Sequence, residues 1–359
     1  MSSFSGIYKN RRALVTGHNG FKGTWLTHWL QQLGASVSGI ALPTITTPNH
    51  WGLLTPDVSG HLQDVRDADK VLTLMQAEKP EVVFHMAAQP LVRRSYRDPL
   101  ETLSTNIMGT ANVLEACRLT PSVRAIVVVT TDKCYENIEQ HRGYLEDDKL
   151  GGHDPYSASK AAAELVAASY RKSFFSTAGA ALLGTARAGN VIGGGDWSED
   201  RLVPDLVRAV AADQALVIRS PKATRPWQHV LEPLSGYLQL GQRLLEGDTT
   251  AATAFNFGPD DAGNQTVETV LTLMQKNWPA VNWQVDASPQ PHEAKLLHLD
   301  SARARSQLQW QPVWSLEEGI AATVNWYREY HEKKAVITKE QLMVYTNAAR
   351  DAGIIWAAP

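Results

Sequence analysis

The chain predicts an α/β architecture: a doubly wound parallel sheet joined to a smaller C-terminal lobe. Three observations point there. A short apolar strand at 13–16 runs into a turn with glycines at 17, 20 and 23, and a helix follows. Nearly continuous apolar runs then recur with helical segments between them, as parallel strands covered on both faces require. Past residue 186 the alternation loosens into short, irregularly connected elements.

Strands are expected at 13–16, 36–42, 81–85, 125–130 and 180–186, with helices near 22–33, 66–78, 98–119 and 154–174. Asp98-Pro99 and Asp154-Pro155 mark two of the helix starts, because proline suits the first helical position. Gly193-Gly194-Gly195 opens the looser region. A helix near 202–212, a strand at 215–219, a helix near 230–246, a strand ending at Asn256-Phe257-Gly258 and helices near 265–277 and 315–332 follow. The expected division is 1–186 with 227–256 as a dinucleotide-binding domain, and 187–226 with 257–335 as the substrate lobe. The tail, 336–359, holds a short helical stretch at 338–348 and no readable role.

With 359 residues the chain can bury a large core. A net charge of -3 leaves no basic footprint for nucleic acid. Cys117 and Cys134 lack metal-ligand spacing, so no metal site is expected, and a reducing cytoplasm suits them better than a disulfide framework. No apolar leader opens the chain, and no run approaches the ~20 apolar residues of a membrane span. Eleven tryptophans read as core and interface packing.

The glycine turn has the spacing GxxGxxG. Gly17 permits the tight turn, Gly20 lets a pyrophosphate approach the backbone, and Gly23 lets helix and strand pack closely, with the helix N-terminus facing the phosphates. This is a Rossmann-type dinucleotide fingerprint. Asn19 and Phe21 of the same turn are assigned to the cofactor, as are Ala87, Ala88 and Gln89 at the end of strand 81–85, and Asn106. Asp64 and Val65 are positioned to meet an adenine. Strand 36–42 ends without the acidic residue that grips a ribose 2′-hydroxyl and without an arginine for a 2′-phosphate, a pattern that favours NAD over NADP.

Tyr156 and Lys160, four apart, share one helix face. A free tyrosine is a poor base, with a pKa of about 10. A neighbouring ammonium and the positive nicotinamide ring are expected to lower it, so that Tyr156 takes a proton from an alcohol while that carbon is oxidised. Strand 125–130 ends in Thr131-Asp132-Lys133, which sets a hydroxyl, a carboxyl and an amine at the ligand-binding edge of the sheet. Each motif has an ordinary reading by itself: a solvated helix face, or a strand terminated by a cap. Together they favour chemistry. The second lobe adds Arg187, Asn190, Arg201, Arg225, His229, His292 and Arg303. Arg225-Pro226-Trp227 sets a guanidinium beside an aromatic, which suits a diphosphate next to a planar base.

Five segments carry a family resemblance: Thr16-Gly-His-Asn-Gly-Phe-Lys-Gly23, His85-Met-Ala-Ala-Gln-Pro-Leu-Val92, Thr131-Asp-Lys-Cys-Tyr-Glu-Asn137, Arg187-Ala-Gly-Asn-Val-Ile-Gly-Gly-Gly-Asp-Trp197 and Arg225-Pro-Trp-Gln-His-Val-Leu-Glu-Pro-Leu-Ser-Gly-Tyr237. From residue 10 to 330 the chain resembles the extended short-chain dehydrogenase/reductase family in its nucleotide-sugar branch. Most sugar-nucleotide dehydratases carry Thr-Asp-Glu where this chain has Thr131-Asp132-Lys133, and Asp-Lys is the pattern of the type acting on CDP-glucose. The resemblance implies a 4,6-dehydration. Tyr156, supported by Lys160 and Thr131, removes the 4-hydroxyl proton as hydride passes from C4 to NAD. Asp132 protonates the departing 6-hydroxyl, and hydride returns to C6. Lys133 stands where relatives place a C5 base, and either that role or stabilisation of the enolate is open to it. The same alignment gives Asn190 to the sugar or its phosphate, and Arg201, Arg225 and His292 to the diphosphate, with His229 placed beside them. It also implies a homodimer or homotetramer joined through helices 98–119 and 154–174. A 4-epimerase would share the glycines and the Tyr/Lys pair without needing Asp132. A nonenzymatic NAD-binding regulator would commonly lose Tyr156 or Lys160.

Overall fold

The computed structural model describes residues 3–286 and 297–358. Seven parallel strands form the central sheet: β1 (Arg12–Thr16), β2 (Ser36–Ala41), β3 (Ser59–Leu62), β4 (Val82–His85), β5 (Ala125–Val129), β6 (Leu182–Ala188) and β7 (Ala254–Phe257), in spatial order β7-β6-β5-β4-β1-β2-β3. The order reverses between β1 and β4, and a crevice opens there at the carboxyl edge. Register puts Thr16 beside His85 and Ile40, and His85 beside Val128, so these residues sit at one level on that edge. The expected strands all form, within two residues at each end. β3 lies outside those expectations: Ser59-Gly60-His61-Leu62 carries no apolar run, and as the outermost strand it buries almost nothing.

Helices cover both faces, which is why β4 and β5 are buried at every position. On one face lie α1 (Phe21–Gln32), with Trp25, Leu26, Trp29 and Leu30 inward, and α2 (Leu231–Leu245). On the other lie α3 (Ala68–Glu78), α4 (Gly109–Arg118) and α5 (Pro155–Ser173), whose Val71, Met75, Val113, Leu114 and Ala167 meet the sheet. Both start signals hold: Asp98 accepts from Glu101 N at 2.9 Å, and Asp154 accepts from Ser157 N at 2.9 Å. The helix expected over 98–119 is divided into Pro99–Leu103, a π-helical turn Ser104–Met108, and α4. In the looser region the expected helices appear as Leu202–Ala211, Val267–Asn277 and Leu316–Lys333, and strand Leu216–Ile218 pairs with Trp283–Val285.

The tail is part of the core. Helix Thr338–Asp351 brings Tyr345 onto Trp29 and Trp314, and Trp356 stacks on Phe4 with centroids 5.0 Å apart. Glu232 clasps this corner, its carboxylate accepting from Val313 N (2.8 Å), Trp314 N (2.9 Å) and the Tyr345 hydroxyl (2.8 Å). Among the described residues no helix is long and apolar enough to cross a membrane, and no group of side chains could hold a metal ion. Cys117 and Cys134 are buried free thiols.

A buried ion pair ties α5 to the sheet. Glu164 accepts from Arg187 Nη2 (2.8 Å), the Thr185 hydroxyl (2.8 Å) and the Thr130 hydroxyl (2.5 Å). Arg187 also donates to the Tyr135 hydroxyl (2.8 Å) and to Glu146 O (2.9 Å). Burial pushes the Glu164 carboxyl up, but Arg187 and the two hydroxyls overcome it and hold it below the usual range. Arg187→Met leaves that carboxylate buried without its cation, and should cost about 3–5 kcal/mol of unfolding free energy, read by urea titration. A loss of under about 1 kcal/mol would mean that the pair is not needed. Acid acts through the core histidines. His50, His85 and His229 are each pushed down to about 3, chiefly by burial. A depressed histidine contributes stability that is full above its unfolded value and is lost as pH falls below it. Stability should therefore decline from about pH 6.5 downward, each histidine adding up to about 1.4 kcal/mol per pH unit. His50→Gln should make that decline shallower by one such increment, and an unchanged slope would show that His50 is already charged in the native protein.

Candidate active site

A cleft of about 1860 Å³ runs along the carboxyl edge from the glycine turn to the second lobe. Gly17, at φ +72°, passes so near the β4 end that a Cβ there would lie 2.9 Å from Ala87 N. A Cβ on Gly23 would strike Gly17 O. Both positions require glycine, and the turn ends at the N-terminus of α1, a ready cradle for a pyrophosphate.

What fixes the β4 end is a directed chain of hydrogen bonds. Met86 N and Ala87 N both donate to the Thr16 hydroxyl at 3.1 Å. Thr16 Oγ1 lies 2.7 Å from His85 Nδ1, His85 Nε2 lies 3.0 Å from Thr110 Oγ1, and Thr110 donates to Asn106 O at 2.6 Å. Because the Thr110 proton is committed, His85 Nε2 must carry the hydrogen and Nδ1 must accept from Thr16. Burial, aided by the Lys160 charge, keeps this imidazole neutral.

Asn106, expected to touch the cofactor, is instead a brace. It is buried, and its amide accepts from Gln89 N (2.8 Å) while donating to Gln89 O (3.1 Å) and to the Ser159 hydroxyl (2.8 Å), which joins the β4 end to α5. The Gln89 side chain also turns inward, bonded to Leu91 and Thr102, so side chain and backbone alike are engaged within the protein. Asn19, Phe21, Asp64, Val65, Ala87 and Ala88 line the cleft. Asn19 donates to Leu42 O at 2.7 Å, and Asp64 is forked by Arg66 at 2.8 and 2.6 Å, a contact that holds its carboxyl low.

Tyr156, Lys160, Thr131 and Lys133 converge on the middle of the cleft. Lys160 donates to Val129 O at 3.2 Å, and burial lowers it to about 8, with Glu164 pulling the other way. Tyr156 departs from expectation. Burial raises it to about 12, and the Thr131 hydroxyl bonded to it only partly offsets that. The protein by itself therefore favours the phenol. Thr131 caps the next turn and donates to Asp132 Oδ1 at 2.8 Å, the atom to which Lys133 also donates at 3.2 Å. Asp132 is 1% exposed and lies behind the lining, with Oδ2 unpartnered against Gly189.

In the second lobe Asn190 and Arg201 reach the cleft, Asn190 accepting from Lys133 at 3.2 Å and Arg201 paired with Asp196 at 3.1 Å. Two expected ligands do not reach it. His229 is a core residue, 2% exposed, wedged between Trp25 and Trp314, and too deep to meet a sugar. Arg225 stands on strand Thr224–Pro226, paired with Asn264–Thr266, and donates to Thr224 O rather than lining the cleft. His292 lies outside the described residues. The sequence reading missed Lys22, hidden inside the fingerprint. It is buried at the cleft, donates to the Tyr237 hydroxyl at 3.3 Å, and is lowered to about 7 by burial and by the charges of Arg201 and Lys160. Trp227, the aromatic that the sequence set beside Arg225, does line the cleft, as does Arg219.

The family profile described as GDP-mannose 4,6 dehydratase matches residues 14–323. The chain is 44% identical to the CDP-glucose 4,6-dehydratase of Salmonella typhimurium, over 95% of this chain and 98% of that one. It is 32% identical to a dTDP-glucose 4,6-dehydratase of Streptomyces antibioticus, over 88% and 92%. Among solved structures, the dTDP-glucose 4,6-dehydratase DesIV of Streptomyces venezuelae, with NAD bound, superposes with a TM-score of 0.74 at 25% identity, covering 89% of this chain and 97% of that one. The UDP-glucose 4-epimerase of Thermus thermophilus, also in complex with NAD, gives 0.76 at 25%, over 88% and 99%. A profile spanning most of its length and relatives of matching length lead to one conclusion: the chain belongs to the GDP-mannose 4,6-dehydratase family, among the extended short-chain dehydrogenase/reductases that act on nucleotide sugars.

Proposed function

We propose that this protein is an NAD-dependent hydro-lyase that converts CDP-D-glucose to CDP-4-keto-6-deoxy-D-glucose and water. The observation that carries the reading is the Thr131-Asp132-Lys133 turn set over Tyr156 and Lys160, in a chain 44% identical to a CDP-glucose 4,6-dehydratase. NAD fits the chain. The Gly17 turn leaves no room for a Cβ, the Thr16 hydroxyl holds the Ala87 backbone beside it, and Asp64 and Val65 border the far end of the cleft. When bound, NAD supplies a two-electron oxidation at C4 that is returned at C6, and its cationic ring favours the phenolate form of Tyr156.

The chain's own groups move the protons. Tyr156 takes the 4-hydroxyl proton, with Thr131 bonded to its oxygen and Lys160 supplying positive charge. The resulting 4-keto group acidifies C5–H. Asp132 gives a proton to the departing 6-hydroxyl, turning out of its pocket to do so. Lys133 faces the C4–C5 edge and, as the neutral amine, takes the C5 proton. Arg201 and Arg219 take the diphosphate, and Trp227 lies near the base. Leu165 on α5 and Leu100 and Met108 on the helical segments beside it stand 60%, 76% and 56% exposed. Covering them against a second copy fits the homodimer or homotetramer we assign to this protein. Two buried free thiols fit a reducing cytoplasm.

Purified protein given CDP-glucose and NAD should yield a sugar nucleotide lighter by one water, with no lasting reduced cofactor. An unchanged mass with inverted C4 would replace this reading by an epimerase. Tyr156→Phe should lower kcat by about 10²–10⁴-fold without reducing any NAD. Asp132→Asn should still oxidise C4 but stall before water loss, which would be visible as accumulated reduced nicotinamide. If Asp132→Asn turned over normally, the acid would have to be another group.

A further inference from the structure

In the strand-end cluster, Lys133 is the group whose chemistry depends most on direction. Its nitrogen is tetrahedral. Cε occupies one direction, Asp132 Oδ1 the second at 3.2 Å, and Asn190 Oδ1 the third at 3.2 Å. An amine nitrogen in this position has hydrogens to give, so the amide must present its oxygen and turn its NH₂ away. The side chain is 27% exposed and lines the cleft, so the fourth direction opens onto it.

The anchor is itself fixed. Asn190 follows β6 directly after Gly189, where a Cβ would lie 2.9 Å from Pro226 Cγ and 3.2 Å from Asp132 Oδ2. Strand Val191–Ile192 then pairs with Gln228–His229, holding the backbone on the far side. Asn190 thus hangs from a strand end pinned on both sides, whereas Lys133 has a long, rotamer-rich stem that its own turn holds only at the nitrogen, through Asp132.

We propose that Asn190 is the positioning residue for Lys133, aiming the last direction of its nitrogen at the C4–C5 edge of the substrate. The proposal rests on the dehydratase reading and adds a role to it. In the elimination the C5–H bond breaks, its electron pair becomes the C5–C6 double bond, and the 6-hydroxyl leaves as water with the Asp132 proton. Lys133, as the neutral amine with its two hydrogens on Asp132 and Asn190, takes the C5 proton on the lone pair in that last direction and returns it to C5 when hydride reaches C6.

Steady-state kinetics, the near-ultraviolet absorbance of reduced nicotinamide and a pH profile on Asn190→Ala and Asn190→Asp test this. Asn190→Ala should lose about 10²-fold in kcat, the scale for misplacing a reacting group by an ångström, with KM little changed and reduced nicotinamide accumulating because C4 oxidation outruns elimination. Asn190→Asp restores an acceptor oxygen and should recover most of the rate. Its extra charge favours the ammonium over the neutral amine, so the acid limb of the profile should move upward. A raised KM with unchanged kcat would make Asn190 a plain substrate ligand and overturn the proposal. So would a kcat loss without accumulation that Asn190→Asp fails to rescue. Acetic anhydride labelling of Lys133, read by mass spectrometry without substrate, gives an independent check. Labelling should be several-fold faster in Asn190→Ala, and equal rates would overturn the anchor. A wild-type protein that leaves CDP-glucose untouched would sink the dehydratase reading instead, while the labelling still decides the anchor.

Discussion

The cleft takes its shape from the carboxylate of Glu164. It lies eight residues beyond Tyr156 and four beyond Lys160 on one helix, and its oxygens reach β5 through Thr130 and β6 through Thr185 and Arg187. Those contacts set the rotation of α5 about its axis, and that rotation decides whether phenol and ammonium face the crevice or the core. Through Arg187 the same knot reaches Tyr135, whose hydroxyl donates to Asn256 at the end of β7, and Asn256 donates in turn to the carbonyls of Tyr144 and Asp300. The cost of burying two charges is met here by a full set of hydrogen bonds on the carboxylate.

Charges of both signs line the crevice, but cations gather at its middle. Lys22, Lys133, Lys160 and Arg201 approach one region, with the carboxyl groups of Asp132 and Asp196 among them, and the first and third of those lysines are shifted toward neutrality mainly by burial. A dianionic sugar nucleotide entering such a site meets a field of the opposite sign in a poorly solvated space, where it acts strongly. Tyr156 shows why the apo protein and the working one differ: its phenol is comfortable until a positive ring arrives beside it.

The sheet was legible because its signals are local. An apolar run names a covered strand, three glycines at fixed spacing name a turn, and Tyr156 and Lys160 name a helix face. Thr131, Asp132 and Lys133 were legible for the same reason, being adjacent at a strand end. What the chain concealed depends on depth. His229 and Arg225 sit in a polar-looking segment, yet one faces two tryptophans and the other follows a small two-stranded ladder. Asn106 reads like a ligand and acts as a brace, since its partners Gln89 and Ser159 are far apart in sequence. Lys22 was overlooked because the motif around it drew attention to the glycines. The helix of the tail was legible, but its place in the core was not, because Phe4, Trp29 and Trp356 meet only in three dimensions.

The chain of donors from Ala87 through Thr16, His85 and Thr110 to Asn106 has one sense, every hydrogen pointing onward to the next acceptor. Such a relay has no spare member. Reversing one link strands a proton between two donors or leaves two acceptors facing each other. For protein engineering this sets the size of the transferable part. A glycine turn grafted alone into another scaffold would arrive without the grip that sets its distance from the neighbouring strand. The module to be moved, when coenzyme preference is redesigned, is the tips of β1 and β4 together with the π-helical turn that carries Asn106 and the first turn of α4 with Thr110.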